Sequence, residues 1–559
     1  MRALRRGAAA AVLASALVLS ACAPALPPTV VEGSEVTVGW TGGLTSLNAV
    51  SDRTGANAEI AAATRAGFGS TADGEFTPDE SFGTVTIVSE DPFTVRYDLA
   101  EPAWSDGIPL DAADLVLGWI AAVGGLAEDA ALDGLTPPKI DEFARSIDVR
   151  FAGPRSDWQS FVTVPVPAHI VGKRAFGLDD PMEAKQAVIT AIRGMDAAAL
   201  TEVGTVWRDG FDLAEGSDVP AELLLSSGPY LITEVAAEEQ GQRITLAPNP
   251  EFAGTAMPQV ERITLTAPGE DPVAAVGESL DVATVAPTEA NRAPITERER
   301  RDFAVQATHD GTVWALLLRP AGVFSSAAAR AAFLRAVPAG EMVTAGAGEW
   351  ESAYTKTTSM LAAPGSRAFD VVTADSGFAA ALGTPADEPA QDRAKAGVRS
   401  GARVCVLYDE RSAFAKGAFA ALREPVKEGG WSVADCGADD FGAARDAGRW
   451  DAVIQRVSVP STPAEIAAQW GTDGSASVIG NADAARDELI ATLAQTVDVY
   501  AAREIRAEIE ASIVRAAVAR PLAMAPRVTI VAPGVTGVTP RDGAVAPILS
   551  GISQWVAAP

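Results

Sequence analysis

Tyr97-Asp98-Leu99-Ala100-Glu101-Pro102-Ala103-Trp104-Ser105-Asp106-Gly107-Ile108-Pro109-Leu110-Asp111-Ala112-Ala113-Asp114-Leu115-Val116-Leu117-Gly118-Trp119 is the stretch on which the fold is read. Phe93, Val95, Tyr97 and Leu99 alternate with Thr94, Arg96 and Asp98, the period of a half-buried strand. Ser105-Asp106-Gly107 is turn chemistry, since Asp can bond its own backbone and Gly can take positive φ. Asp111 then reads as a helix N-cap, with Asp114 three residues on, where a capping box wants an acid. Leu110 and Leu115 flank the cap as a hydrophobic staple that fixes the helix entry angle.

Strand, Trp-Ser-Asp-Gly turn and capped Ala-x-Asp helix together resemble the signature of the extracellular solute-binding protein family 5, the peptide- and nickel-binding subunits of ABC importers. Further stretches are similar to that family's landmarks: Ser46-Leu47-Asn48-Ala49, Pro165-Val166-Pro167-Ala168-His169-Ile170-Val171, Ser227-Gly228-Pro229-Tyr230, Asn249-Pro250-Glu251-Phe252, Leu280-Asp281-Val282-Ala283 and the Ala327–Ala336 segment. The resemblance implies an α/β, two-lobe periplasmic-binding-protein-like fold of type II, large and with an extra subdomain, with a hinge between the lobes. On its layout, residues 35–65, 195–302 and 490–559 form lobe I, 66–194 the inserted subdomain and 303–489 lobe II. The chain is then expected to cross the hinge near Phe303 and return near Asn481. In lobe II, Val404–Tyr408, Trp431–Ala434 and Asp451–Ile454 read as strands of a parallel β-α-β-α-β series, with Ala413–Lys427 as a crossover helix. Trp314–Leu318 is a fully apolar run, as in a strand buried on both faces. Pro521–Met524 and Val528–Val531 read as two closing strands.

The 559 residues are 48% hydrophobic, enough for several packed units and against disorder. The formal net charge is −29, a surface that repels nucleic acid and anionic lipid and favours solubility. Arg2, Arg5 and Arg6 form a basic n-region before an apolar Gly7–Leu19 run too short to span a bilayer. Leu19-Ser20-Ala21-Cys22 resembles a bacterial lipobox, so residues 1–21 read as a lipoprotein signal, Cys22 as the lipidated residue and 22–34 as a tether. Two or more acyl chains hold a protein at a membrane where one does not. The expected place is the outer face of the cytoplasmic membrane, in an oxidising compartment, and the Ala-rich, Lys-poor usage resembles actinobacterial chains. Cys405 and Cys436 fall on neighbouring strands and form either a disulfide or two buried thiols.

Chemistry at a metal or nucleophile is not supported. Two histidines cannot furnish a multi-His zinc site, and HExxH, Cys-x-x-Cys, G-x-S-x-G and S-x-x-K patterns are missing from the sequence. No cofactor and no catalysis are expected; a hydrolase would have to use His169 or His309. Eleven Trp and five Tyr suit a cleft that holds its ligand by stacking. The candidate ligand residues are Trp40, Arg53 and Asn57 from lobe I and Arg456, Val457, Ser458 and Trp470 from lobe II. Arg456 is the one able to hold a carboxylate bidentately. In oligopeptide-binding relatives the matching strand ends in a Trp…Asp segment whose Asp pairs with the peptide amine. This chain has Val457 and Pro460 there. A buried amine without a carboxylate is costly, so free-amine capture departs from the family pattern. The resemblance implies a monomeric, membrane-tethered binding protein that takes a peptide or similar small solute by hinge closure and delivers it to an ABC permease. The alternative is a cell-envelope lipoprotein that kept the scaffold for assembly or regulation.

Overall fold

The computed structural model describes residues 26–141, 143–214, 218–544 and 547–559, so the leader and Cys22 lie outside the described residues. Ten strands form one mixed sheet through both lobes. Their order is Trp431–Asp435, Ala402–Tyr408, Ala452–Ser458, Ala304–Leu318, Ala519–Val531, Val282–Val285, Val31–Gly39, Val260–Thr266, Gly241–Pro248 and Tyr230–Glu238. Ala402–Tyr408 pairs in parallel with both Trp431–Asp435 and Ala452–Ser458, as the β-α-β reading requires. The crossover helix read as 413–427 is interrupted: Ala413–Arg423 stops two residues before Pro425, which has no N–H to continue the ladder.

The two lobes are joined by the two longest strands. Ala304–His309 lies antiparallel to Val531–Pro526 on the lobe I side, and Val313–Leu317 pairs with Met524–Ala519 on the lobe II side. The strands expected at 521–524 and 528–531 are therefore one, and Trp314–Leu318 is the second half of a longer element. Proline cannot donate to a ladder, and Ala519–Val531 carries two, Pro521 and Pro526. Here the register irregularities, between His309 and Val313 and between Trp314 and Ala315, fall beside those prolines and absorb the missing donors. The return to lobe I also comes later than Asn481. Helices Ala484–Ala494 and Val499–Ala516 place Ile490, Leu493, Ile509 and Ile513 in one core with Val313, Leu407 and Val453 of lobe II. The boundary at residue 489 thus moves into the Ala519–Val531 strand.

The inserted region carries its own antiparallel sheet, Gly83–Glu90, Phe93–Leu99, Ser146–Arg150 and Lys139–Ile140, whose core is continuous with that of lobe I. Asp114 is its hub. The capping box with Asp111 forms as read, and the same buried carboxylate accepts from Trp104 Nε1 (3.2 Å), Ala168 N (2.9 Å) and Lys185 Nζ (3.0 Å). Four partners satisfy a charge that burial would otherwise make expensive. This is why the turn needs Trp at 104 and Asp at 114. Gly118, one helical turn on, packs so closely on the Thr163 carbonyl that a Cβ would overlap it. His169, at the start of helix Ala168–Phe176, is buried and joined through Nε2 to Asp106 of the turn at 3.0 Å.

On the back of the hinge sheet Trp350, from lobe II, packs among Ile295, Val528 and Ile530. Its Nε1 donates to Thr288 O at 2.7 Å, and Arg292 lies 4.7 Å over the ring. Among the described residues no helix is long and apolar enough to cross a membrane.

Cys405 and Cys436 form a disulfide, their Cα atoms 5.7 Å apart across 31 residues. Loop-closure entropy for that separation predicts that the Cys405→Ser/Cys436→Ser double variant loses about 3–4 kcal/mol, read as an earlier urea midpoint with an equal or larger m, since the uncrosslinked unfolded chain is more expanded.

Candidate functional site

One gap is shared by both lobes. It is a cavity of about 420 Å³ with walls from 71–76 and 155–160 on the lobe I side and from 461–464 and 493–506 on the lobe II side. The first wall is a hairpin, Gly69–Ala72 and Glu75–Pro78, turned by Asp73 and Gly74, both at positive φ (52° and 80°). Such a two-residue turn matches the twist of its strands and favours Asp-Gly. Gly74 is needed twice over, because a Cβ there would also strike Ser461 O and the Arg506 guanidinium.

Helix Val499–Ala516 of lobe II grips this hairpin. Arg503 donates to both oxygens of Glu75, at 2.6 and 2.8 Å, a bidentate pair with both side chains largely shielded. Arg506, buried, donates to Asp73 O (3.3 Å), Leu361 O (3.4 Å) and Ser461 O (3.0 Å), so one guanidinium ties both lobes together. Burial pushes its pKa down against the pull of Glu75 and Asp73. A main-chain bond from Ser156 N to Ala494 O (2.9 Å) closes the other rim. The lobes are thus described in contact across the cavity.

Inward from the hairpin the gap is filled by the chain itself. The segment after the second hinge strand runs beside the first: Gln306 Nε2 donates to Val538 O (3.1 Å), His309 N to Asp542 Oδ1 (2.7 Å) and Gly543 N to His309 O (3.1 Å). Arg527 Nη2 donates to Arg541 O at 2.7 Å. The segment then meets helix Gly55–Thr64, where Leu549 N donates to Glu59 at 2.6 Å. Burial raises Glu59 to about 7, opposed by bonds from Leu549 and Ile548 and by Arg527. Burial lowers His309, against Asp542, Asp73 and Asp310.

A second cavity of about 250 Å³ opens inside lobe I, and both cavities are lined by Phe76, Gln159 and Ser160. They adjoin.

None of the seven residues selected from sequence lines either cavity. Trp40 is buried in the lobe I core, packed under Gly42 and Ala56. Asn57 is buried and shapes its own loop, its Oδ1 accepting from Thr45 N (3.0 Å) and its Nδ2 donating to Asp52 O (2.9 Å). Arg53 is exposed and reaches only Val50 O, at 3.3 Å. Arg456, Val457 and Ser458 end the strand that pairs with Thr312–Trp314. Arg456 shares the Trp314 face, donates to Thr312 Oγ1 (2.9 Å) and pairs with Asp310. Its charge is spent on the hinge. Trp470 belongs to the lobe II core. The residues that do bridge the lobes, Glu75, Arg503 and Arg506, escaped the sequence reading. The Asp73-Gly74 dipeptide between short alternating runs was the available signal for the hairpin; its partner more than 400 residues away left none.

No family model matches the chain. It is 29% identical over 293 residues, 49% of each chain, to an uncharacterized lipoprotein of Mycobacterium tuberculosis, and 26% identical over 343 residues, 59% of this chain and 57% of the other, to one of Mycobacterium leprae. The chain spans about half the length of the curated relatives it matches. Solved structures match nearly end to end. The periplasmic EDTA-binding protein EppA gives a TM-score of 0.72 at 18% identity, covering 95% of this chain and 98% of that one. The ABC transporter substrate-binding protein CtaP of Listeria monocytogenes gives 0.68 at 16%, over 94% and 100%. The oligopeptide-binding protein AppA of Bacillus subtilis, in complex with a nonapeptide, gives 0.59 at 13%, over 94% and 99%. The fold is that of the two-lobe periplasmic binding proteins.

Glu59 yields a pH test. Its folded pKa, about 7, lies above the ordinary 4.5, so the folded chain holds the extra proton and this group's contribution to stability falls as pH rises from 4.5 to 7. Glu59→Gln should therefore match the wild type near pH 4.5 and exceed it by about 1–3 kcal/mol at pH 8, read by urea unfolding at the two pH values.

Proposed function

We propose that the protein is a substrate-binding lipoprotein of an ABC importer, which takes a peptide or similar small solute between its lobes and passes it to a membrane permease. The observation that carries this reading is the cavity whose walls are shared by the two lobes, set beside a pair of strands that alone connect them. Two strand connections allow rigid lobes to rotate about a few residues, the motion by which such folds close on a ligand. The register irregularity at 309–313 is the natural place for that bend. Glu75–Arg503 and Arg506 then act as a latch, formed on closing and broken when the lobes part, which returns both guanidinium groups and the Glu75 carboxylate to water. The lipoprotein names of the sequence relatives support Cys22 as the anchor on the outer face of the membrane. Binding, with no bond made or broken, is the whole of its chemistry in this reading.

The envelope-assembly reading draws on a different observation. The inner gap is occupied by residues 538–544 and 547–549, and Pro460 stands where peptide-binding relatives place their carboxylate. One experiment separates the two. The lipid-free soluble chain is titrated with a mixed tetrapeptide library while melting and X-ray scattering are followed. Import predicts stabilisation of about 2–3 kcal/mol near 100 times Kd and a smaller radius of gyration, both lost in Ala464→Trp, which fills the shared cavity. No shift at millimolar peptide, with identical scattering of the two proteins, would favour the envelope role.

A further inference from the structure

The cavity inside lobe I is walled by apolar side chains, Leu47, Val50, Phe68, Phe82, Val162 and Val164 among them, and Arg65 is the single charged residue that lines it. Arg65 follows the C-terminus of helix Gly55–Thr64. Its Nε donates to Pro165 O (2.6 Å), Nη1 to Thr64 O and Leu225 O (2.9 Å each), and Nη2 to Leu47 O (3.3 Å). Among the described residues no carboxylate reaches ion-pair distance of it. A guanidinium carries five N–H donors, so one N–H on Nη2 is left over. Burial pushes its pKa down to about 10, and no acid offsets that. The main-chain carbonyls explain how the side chain is held in place; they do not neutralise it. An unpaired cation in an apolar chamber is costly, and an anion brought by a ligand would repay that cost.

We propose that this chamber is a side pocket for an amphipathic carboxylate, with the charge at Arg65 and the hydrocarbon part against the apolar walls. It deepens, and rests on, the reading that a solute enters between the lobes, because Phe76, Gln159 and Ser160 line both the chamber and the shared cavity. The substrate class is thereby narrowed to molecules that join a carboxylate to an aliphatic or aromatic group.

Hexanoate, octanoate and 1-octanol serve as probes, measured by calorimetry on the soluble chain. Each added methylene should tighten binding about fourfold, the value expected for about 0.8 kcal/mol of buried CH₂. Octanoate should bind one-to-one and at least about tenfold more tightly than octanol, since the charge-assisted bond is lost in the alcohol. Ala61→Phe, which fills the chamber from the helix, should abolish the binding while melting as the wild type does. Arg65→Met is read only if it folds, because it also removes four bonds to carbonyls. Equal affinity for octanol, undiminished binding in Ala61→Phe, or no octanoate binding at millimolar concentration each overturns the proposal. The failures can be told apart. Peptides that close the lobes while octanoate does nothing refute the side pocket alone; the octanoate pattern without peptide-induced closure refutes the interlobe reading.

Discussion

The ladder between Ala304–Leu318 and Ala519–Val531 is the constraint on which the rest of the molecule depends. Two antiparallel strands pair first in one lobe and then in the other, so the two halves share one continuous hydrogen-bonded sheet. A sheet is stiff where its ladder is regular and soft where residues go unpaired. The prolines at 521 and 526 and the irregular pairing opposite them put the soft point near the middle. The core holding Val313 and Met524 lies on one side of that point and the core holding Val528 and Ile530 on the other.

Inside lobe I and its insertion, structure follows from local chemistry. Asp114 shows how. A single buried acid caps its helix, fixes the indole of Trp104, receives Lys185 and holds the main chain at Ala168. Four segments meet at one carboxylate, and each meeting point is a residue whose type the partner dictates. The other landmarks interlock likewise: Ser226 donates to Thr64 O and Tyr230 O, and Asn249 donates to Gly228 O, so the 226–230 turn and the Asn-Pro turn brace each other.

Legibility in the sequence follows the range of the interaction. The strand at 93–99 and the capping box at 111–114 are readable because cap, turn and period act within a few residues, whereas the helix at 327–336 is legible only through its resemblance to a family segment. The hinge strands are legible only in pieces, because their full length is set by pairing with a partner about 200 residues away. Helices Pro181–Gly194 and Ala197–Asp209, capped by Asp180 and Asp196, carried signals that went unread. The candidate site fared worst. Its walls come from 71–76, 155–160, 461–464 and 493–506, and no local rule brings those together. Arg456 lies opposite Trp314 and is engaged by Asp310 and Thr312, partners that no local pattern around it announces.

The position of Trp350 sets the mechanics of any such rotation. Its indole is seated among lobe I side chains and bonded to Thr288 O, so in the proposed rotation it would serve as a fulcrum. Pulling it out would expose apolar area worth roughly 1.5–3 kcal/mol and strand the Thr288 carbonyl, whereas pivoting on it costs neither. The lobes are therefore geared to swing like a lever rather than to separate, and the travel at the cavity mouth is capped by how far that ring can roll in its socket.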